Sequence, residues 1–425
     1  MTTLVELRTT ASQPKIHAAA VAQVLSLLIE IRPGASAAQL RMPLGVAFVL
    51  DRSGSMAGAK IRHACEALKR AVGALAPDDM AAVISFERRT RVDVPLETVG
   101  DGAAICRRID KIRADGGTRM APAMSRALEQ LGRSRAGLLR RMILLTDGQT
   151  EGEDDCLAVA DEAGRQQVSI TALGLGRDWN EDLLIELGNR SSGTADAISA
   201  PEQIDGFFAG AVRQAQSASI QRAVLTLRTV QGVSVRAAWQ VVPLITQLGV
   251  QPTAQRDVTV PLGEVDAATG RAVLVELLIE PRAAGTYRVA TAEIQCDVPL
   301  LGQTDVRERA EIVLEFTADA AAARVVNPTV MNVAEKVSAF RLQTRALADL
   351  AAGDVAAATN RLQSAVTRLL SQGEAALAQQ MQQEVDRLRQ GGQLSSDGQK
   401  TMKFGTSRTV RLTPPQDPAD APPAG

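Results

Sequence analysis

The stretch VAFVLDRSGSM, Val46 to Met56, carries an apolar β-forming run onto Asp51-x-Ser53-x-Ser55 and then into a helix-forming segment through Ala57, Gly58 and Ala59. One carboxylate and two hydroxyls therefore share a single strand-to-helix turn. Two later loops take the same form. Gly116-Gly117-Thr118 stands just before a helical pattern, and RMILLT (141–146) runs as a buried strand into Asp147-Gly148. Oxygen ligands from Asp51, Ser53, Ser55, Thr118 and Asp147 thus come from three loops at strand ends or loop-to-helix junctions.

Hard oxygen ligands select a hard cation. Mg²⁺ takes near-octahedral oxygen and keeps several waters, so Mg²⁺ is the expected metal, with Mn²⁺ or Ca²⁺ as alternatives. Neutral hydroxyls from Ser53, Ser55 and Thr118 can bind such an ion directly, while Asp51 and Asp147 hold its waters and orient the hydroxyls. A cation so bound keeps most of its charge and accepts a further oxygen from outside, most naturally an Asp or Glu of a protein partner.

Asp-x-Ser-x-Ser, then Thr, then Asp is the pattern of a metal-ion-dependent adhesion site, and the region resembles a von Willebrand factor A domain over about residues 43–213. The resemblance implies a Rossmann-like doubly wound sheet and a metal held by Asp51, Ser53, Ser55, Thr118 and Asp147. The wider layout, together with WNEDLL (179–184), is similar to bacterial A-domain proteins grouped with inter-alpha-inhibitor heavy chains.

Outside that motif the chain is bland in charge. Its 425 residues carry 47 basic and 48 acidic side chains, a formal net of -1, which gives no footprint for nucleic acid or a membrane surface. The clusters Arg88, Arg89, Arg91 and Arg133, Arg135, Arg140, Arg141 read as solvated faces, and Glu151, Glu153, Asp154 and Asp155 as an acidic helix start. Aromatic residues make up only 2%, so the cores must be aliphatic. Cys65, Cys106, Cys156 and Cys296 show no paired spacing and read as reduced thiols of a cytoplasmic protein. The signal-like stretch Ala18 to Ile31 is interrupted by Gln23 and Glu30 and reads as a strand, and no apolar run reaches about 18 residues.

Periodicity divides the rest. Between 43 and 213, short apolar strands alternate with amphipathic helices, which predicts a mostly parallel sheet with ligands at the carboxyl ends of its strands. Residues 217–319 alternate with period two and read as an antiparallel β-sandwich. Residues 1–42 hold similar strands but are too few to fold alone, so one sandwich with the A domain inserted is the economical arrangement. Residues 325–392 read as a helical hairpin or bundle, and 393–425 as a largely disordered tail, most clearly Thr413 to Gly425.

Neither histidine supports an enzyme: His17 falls in a strand or loop, and His63 lies over two helical turns beyond Ser55. No nucleophile has a paired base and no phosphate-binding Gly-Lys loop occurs. The expected function is therefore non-catalytic, metal-dependent adhesion or scaffolding. The alternative is a non-catalytic accessory subunit of an ATP-driven machine of the MoxR or chelatase type. A metal-dependent hydrolase and a purely structural module rank behind these.

Overall fold

The computed structural model describes residues 3–38, 41–135, 137–249, 251–252 and 257–407. The chain opens with strands β1 (Val5–Ala11), β2 (Lys15–His17) and β3 (Gln23–Pro33) and a one-turn helix α1 (Ala35–Ala38). The doubly wound unit follows: β4 (Leu44–Asp51), α2 (Ala59–Gly73), β5 (Met80–Phe86), β6 (Thr90–Thr98), α3 (Ala103–Ile109), α4 (Ala121–Gly132), β7 (Leu139–Thr146), α5 (Glu153–Arg165), β8 (Val168–Leu175), α6 (Glu181–Arg190), β9 (Thr194–Ile198) and α7 (Ile204–Ser217).

Its sheet runs β6-β5-β4-β7-β8-β9. Every residue of β4 is buried, as a central parallel strand covered on both faces requires. The core divides accordingly. Val46, Phe48 and Leu50 meet α2 and α7 on one face, while Ala47 and Val49 meet Met124 and Ala127 of α4 on the other. Strands β4 and β7 pair in parallel with Leu50 opposite Leu145, so Asp51 and Asp147 emerge side by side. The chain winds outward in opposite directions from this pair, through β5 on one side and β8 on the other, which makes the gap above β4 and β7 the topological switch point.

Strand β6, which the periodicity did not reveal, is the antiparallel edge. Pro95 cannot donate to a ladder and is tolerated at such an edge, but it masks the strand in the sequence.

After α7 come β10 (Ala218–Thr229), β11 (Val233–Val242), β12 (Thr246–Leu248), β13 (Gln251–Pro252), β14 (Asp257–Asp266), β15 (Arg271–Ile279), β16 (Gly285–Val298) and β17 (Gln303–Thr317). They form two sheets, β1-β3-β15-β11-β12 and β13-β14-β10-β16-β17-β2, whose inner faces share one aliphatic core. The opening strands belong to both. β3 pairs antiparallel with β15, Ile29 against Val273, and β2 lies parallel to β17. The doubly wound unit is thus inserted into a β-sandwich between β3 and β10.

Helices α8 (Pro328–Ala351), α9 (Val355–Ser371), α10 (Ala375–Arg389) and α11 (Ser396–Ser407) complete the described chain. Asn327 and Asp354 cap α8 and α9 by accepting hydrogen bonds from Val330 N and Ala357 N. α8 also lies on the sandwich, with Val330, Val333 and Val337 against Leu28 and Trp239.

Helix α11 corrects the expectation of a disordered tail from residue 393; Thr413 to Gly425 lie outside the described residues. Its sequence, SDGQKTMKFGTS, has two glycines and weak amphipathicity, and it is held by tertiary contacts instead. Phe404 meets the Trp179 ring at 5.6 Å, and Lys400 Nζ lies 4.3 Å from that ring's centroid while donating to the Trp179 carbonyl at 2.7 Å. WNEDLL is therefore the seat of the last helix.

The arginine clusters need a second correction. Arg141 is 7% exposed and forms a two-pronged ion pair with Glu264 of β14, one contact at 2.9 Å, joining the inserted unit to the sandwich. Arg271 of β15 lies beside them, its Nε donating to the Glu264 carbonyl at 2.7 Å, and burial lowers its pKa. Removing one member of a buried pair strands the other charge. Arg141→Ala should therefore cost about 3 kcal/mol in urea denaturation, and Arg141→Met with Glu264→Leu should recover most of the loss. Equal losses in the single and double variants would contradict this account of the pair.

Candidate functional site

The sequence-predicted residues gather above the β4/β7 gap. Asp51 closes β4 and is fully buried. Its Oδ1 accepts from Ser53 N at 2.8 Å and its Oδ2 from Thr146 Oγ1 at 2.6 Å. Residues Gly54–Met56 form a single 3-10 turn that presents Ser55 to solvent. The Ser53 and Ser55 hydroxyls stand 3.0 Å apart, and Ser55 Oγ donates to Asp147 Oδ1 at 2.7 Å. Four of the five residues thus form one connected cluster, buried beneath and open above.

Thr118 reaches the site through its loop. Gly54 N donates to the Gly116 carbonyl at 2.9 Å, and Glu151 N to the Thr118 carbonyl at 3.4 Å, so this loop is tied to the other two. Its side chain is half-buried and makes no hydrogen bond to the other four. Gly116 has φ +73°, and a Cβ there would lie 2.5 Å from Glu87 Oε2, so the tight turn requires glycine. Glu87 is itself held by Arg52 at 3.2 Å.

Two participants escaped the sequence reading. Thr146, the last residue of β7, holds Asp51; it looked like an ordinary β-branched strand residue. Lys60, in the first turn of α2, forms an ion pair with Asp147 Oδ2. Its signal was a misplaced charge, because a cation in a helix's first turn opposes the macrodipole.

Electrostatically the site has less positive than negative charge. Burial pushes the Asp51 carboxyl above its ordinary pKa; the Thr146 and Ser53 hydrogen bonds oppose that shift, and neighbouring Asp147 adds to it. The hydrogen-bond donors to Asp51 are neutral, and Lys60 is a single cation beside two carboxylates. Hydroxyls, carboxylates and a charge deficit suit a hard divalent cation. Among the described residues no group of three or more His, Cys, Asp or Glu offers a competing metal site.

The remaining candidates are structural. His63 Nε2 lies 3.9 Å from Glu202 and takes no part in the cluster. Glu153 accepts from Asn180 Nδ2 at 2.7 Å, tying the start of α5 to the WNEDLL loop. Burial raises the thiols of Cys65 to about 11 and of Cys156 and Cys296 to about 12, far from reactive values.

Comparison with known proteins agrees with this architecture. Residues 45–209 match the von Willebrand factor type A domain family, so this part of the chain is such a domain. Residues 328–412 match the Sll0103-like, C-terminal alpha-helical domain family. The protein sll0103 of Synechocystis sp. is 26% identical over 417 residues, covering 96% of this chain and 98% of its own. Inter-alpha-trypsin inhibitor heavy chain H2 of Mus musculus is 33% identical over 170 residues, which are 37% of this chain and only 18% of that protein. The heavy-chain similarity is therefore partial.

Among solved structures, a von Willebrand factor type A protein from Catenulispora acidiphila superposes with TM-score 0.78 at 19% identity, covering 97% of this chain and 98% of its own. The ArnB paralog VWA2 from Sulfolobus acidocaldarius gives TM-score 0.54 at 17% identity, covering 96% and 100%. These likenesses show the fold.

The raised Asp51 pKa has a definite sign. Relative to the unfolded chain, folding favours the protonated carboxyl, so the charged form costs stability as pH rises from the unfolded to the folded pKa, and that cost persists at neutral pH. Asp51→Asn mimics the protonated group. In EDTA at pH 7 it should melt at the wild-type temperature or up to about 3 °C above it, and Mg²⁺ should raise the melting temperature of wild type alone. A variant melting well below wild type in EDTA would contradict this reading.

Proposed function

We propose that this protein is a non-catalytic, metal-dependent interaction protein that takes an acidic side chain of a protein partner through a divalent cation, most naturally Mg²⁺, held by Asp51, Ser53, Ser55, Thr118 and Asp147. The observation that carries the reading is the buried Asp51 carboxylate, held by neutral donors beneath the buried Ser53 hydroxyl, the solvent-exposed Ser55 hydroxyl and a second carboxylate. A divalent cation there supplies Lewis acidity toward a carboxylate.

The chain's own residues do the rest. Ser53 and Ser55 present neutral oxygens that leave the bound charge high. Asp147 accepts from Ser55 at 2.7 Å and so aims that hydroxyl. Thr146, by donating to Asp51, keeps the buried carboxylate aligned under the site. Exposed Ser55 and Gly54 leave the upper face free for a partner's Asp or Glu. The domain's family supports protein binding in general terms, whereas an accessory role in an ATP-driven machine draws no support from these relatives.

Free cysteines, with two of the four buried, favour a cytoplasmic setting under this proposal. Among the described residues no helix is long and apolar enough to cross a membrane. The sandwich and the helical bundle would then hold the domain rigidly or present it within an assembly.

Calorimetric titration with Mg²⁺ and Mn²⁺ tests the reading. Wild type should bind one ion, and Ser53→Ala should weaken binding at least about tenfold, in line with the loss of a hydroxyl ligand or its hydrogen bond. Partners retained from lysate by wild type should be released by EDTA and absent with Ser53→Ala. Metal binding that survives Ser53→Ala undiminished would place the ion elsewhere.

A further inference from the structure

We infer that Lys60 is a built-in counter-charge that weakens cation binding at this site and, in return, strengthens its hold on a partner's carboxylate. The inference rests on the function proposed above and deepens it by naming the residue that sets the balance.

Three observations carry it. Lys60 pairs with Asp147 Oδ2, while the other oxygen of the same carboxylate accepts from Ser55 at 2.7 Å. The Asp147 side chain is completely buried, whereas Lys60 is about a third exposed, so the ammonium closes the solvent side of that carboxylate. Lys60 also stands in the first turn of α2, where the helix macrodipole disfavours a cation and no acidic residue of that turn compensates it. A lysine kept there is held by Asp147.

Charge counting gives the consequence. Asp51, Asp147 and Lys60 together carry a net of about -1 when ionised, and adding a divalent cation brings the site to about +1. Without Lys60 the corresponding sums are about -2 and zero. The ammonium repels an incoming cation and competes for Asp147, yet leaves the loaded site with positive charge to offer a carboxylate. Arg52 does not share this role, because its guanidinium is engaged by Glu87 at 3.2 Å.

Lys60→Met keeps the unbranched stem of the side chain and removes the charge, and Lys60→Arg keeps the charge. Mn²⁺ affinity is read by calorimetry at fixed ionic strength. Acetate affinity is then read on the Mn²⁺-loaded protein from the loss of water-proton relaxation enhancement. Relative to wild type, Lys60→Met should bind Mn²⁺ about tenfold more tightly and acetate about tenfold more weakly, consistent with losing a repulsion toward the cation and an attraction toward the anion at intermediate dielectric. Lys60→Arg should stay near wild type in both. Opposite signs are the signature, since a damaged fold would weaken both affinities together. If Lys60→Met leaves both affinities unchanged, or weakens both, this role for Lys60 is overturned while the metal site stands. A wild-type protein that binds no Mn²⁺ would overturn the metal site and this inference with it.

Discussion

A carboxylate sealed into a protein without a cationic partner is expensive, and Asp51 is such a group: buried at the end of the central strand and hydrogen-bonded by neutral donors. Much of the surrounding architecture keeps it there. The all-apolar β4 delivers it, the parallel register with β7 sets Thr146 and Asp147 beside it, and the 3-10 turn of Gly54–Met56 folds two serine hydroxyls over it. The local cost makes physical sense as stored demand for positive charge, while Lys60 pairs with the neighbouring Asp147 carboxylate.

The site is also wired to the rest of the chain. Strand β7 carries Asp147 just beyond its carboxyl end and Arg141 near its start, where the guanidinium grips Glu264 of the sandwich. The loop before α6 is clasped by Lys400 and Phe404 of the last helix and reaches the start of α5 through Asn180 and Glu153. One rigid strand and one short polar contact thus connect the candidate-site loops to the sandwich and the bundle. A pull on the site by a partner would be borne by all three units.

The signals legible in sequence were those repeated over many residues or concentrated in one turn. The apolar run of β4, the β-α alternation and the period-two stretches were enough for an inserted doubly wound sheet, and Asp51, Ser53, Ser55 and Asp147 stood in turns whose positions the sheet then fixed. The missed features depend on contacts between distant segments. Arg141 looks like any surface arginine until Glu264, 123 positions later, arrives beside it. Helix α11 has too many glycines to be recognised by propensity, and it exists because Trp179 offers a seat. Lys60 and Thr146 acquire meaning only once two loops meet.

The most direct test of the central claim is pulsed electron paramagnetic resonance of the Mn²⁺-loaded protein with ¹³C-carboxylate acetate. The account predicts a ¹³C hyperfine coupling from a carboxylate bound to the ion, lost together with the protein-bound Mn²⁺ signal in Ser53→Ala. A wild-type Mn²⁺ signal with no ¹³C coupling at saturating acetate would contradict it, because the ion would then lack the open position on which the proposed adhesion depends.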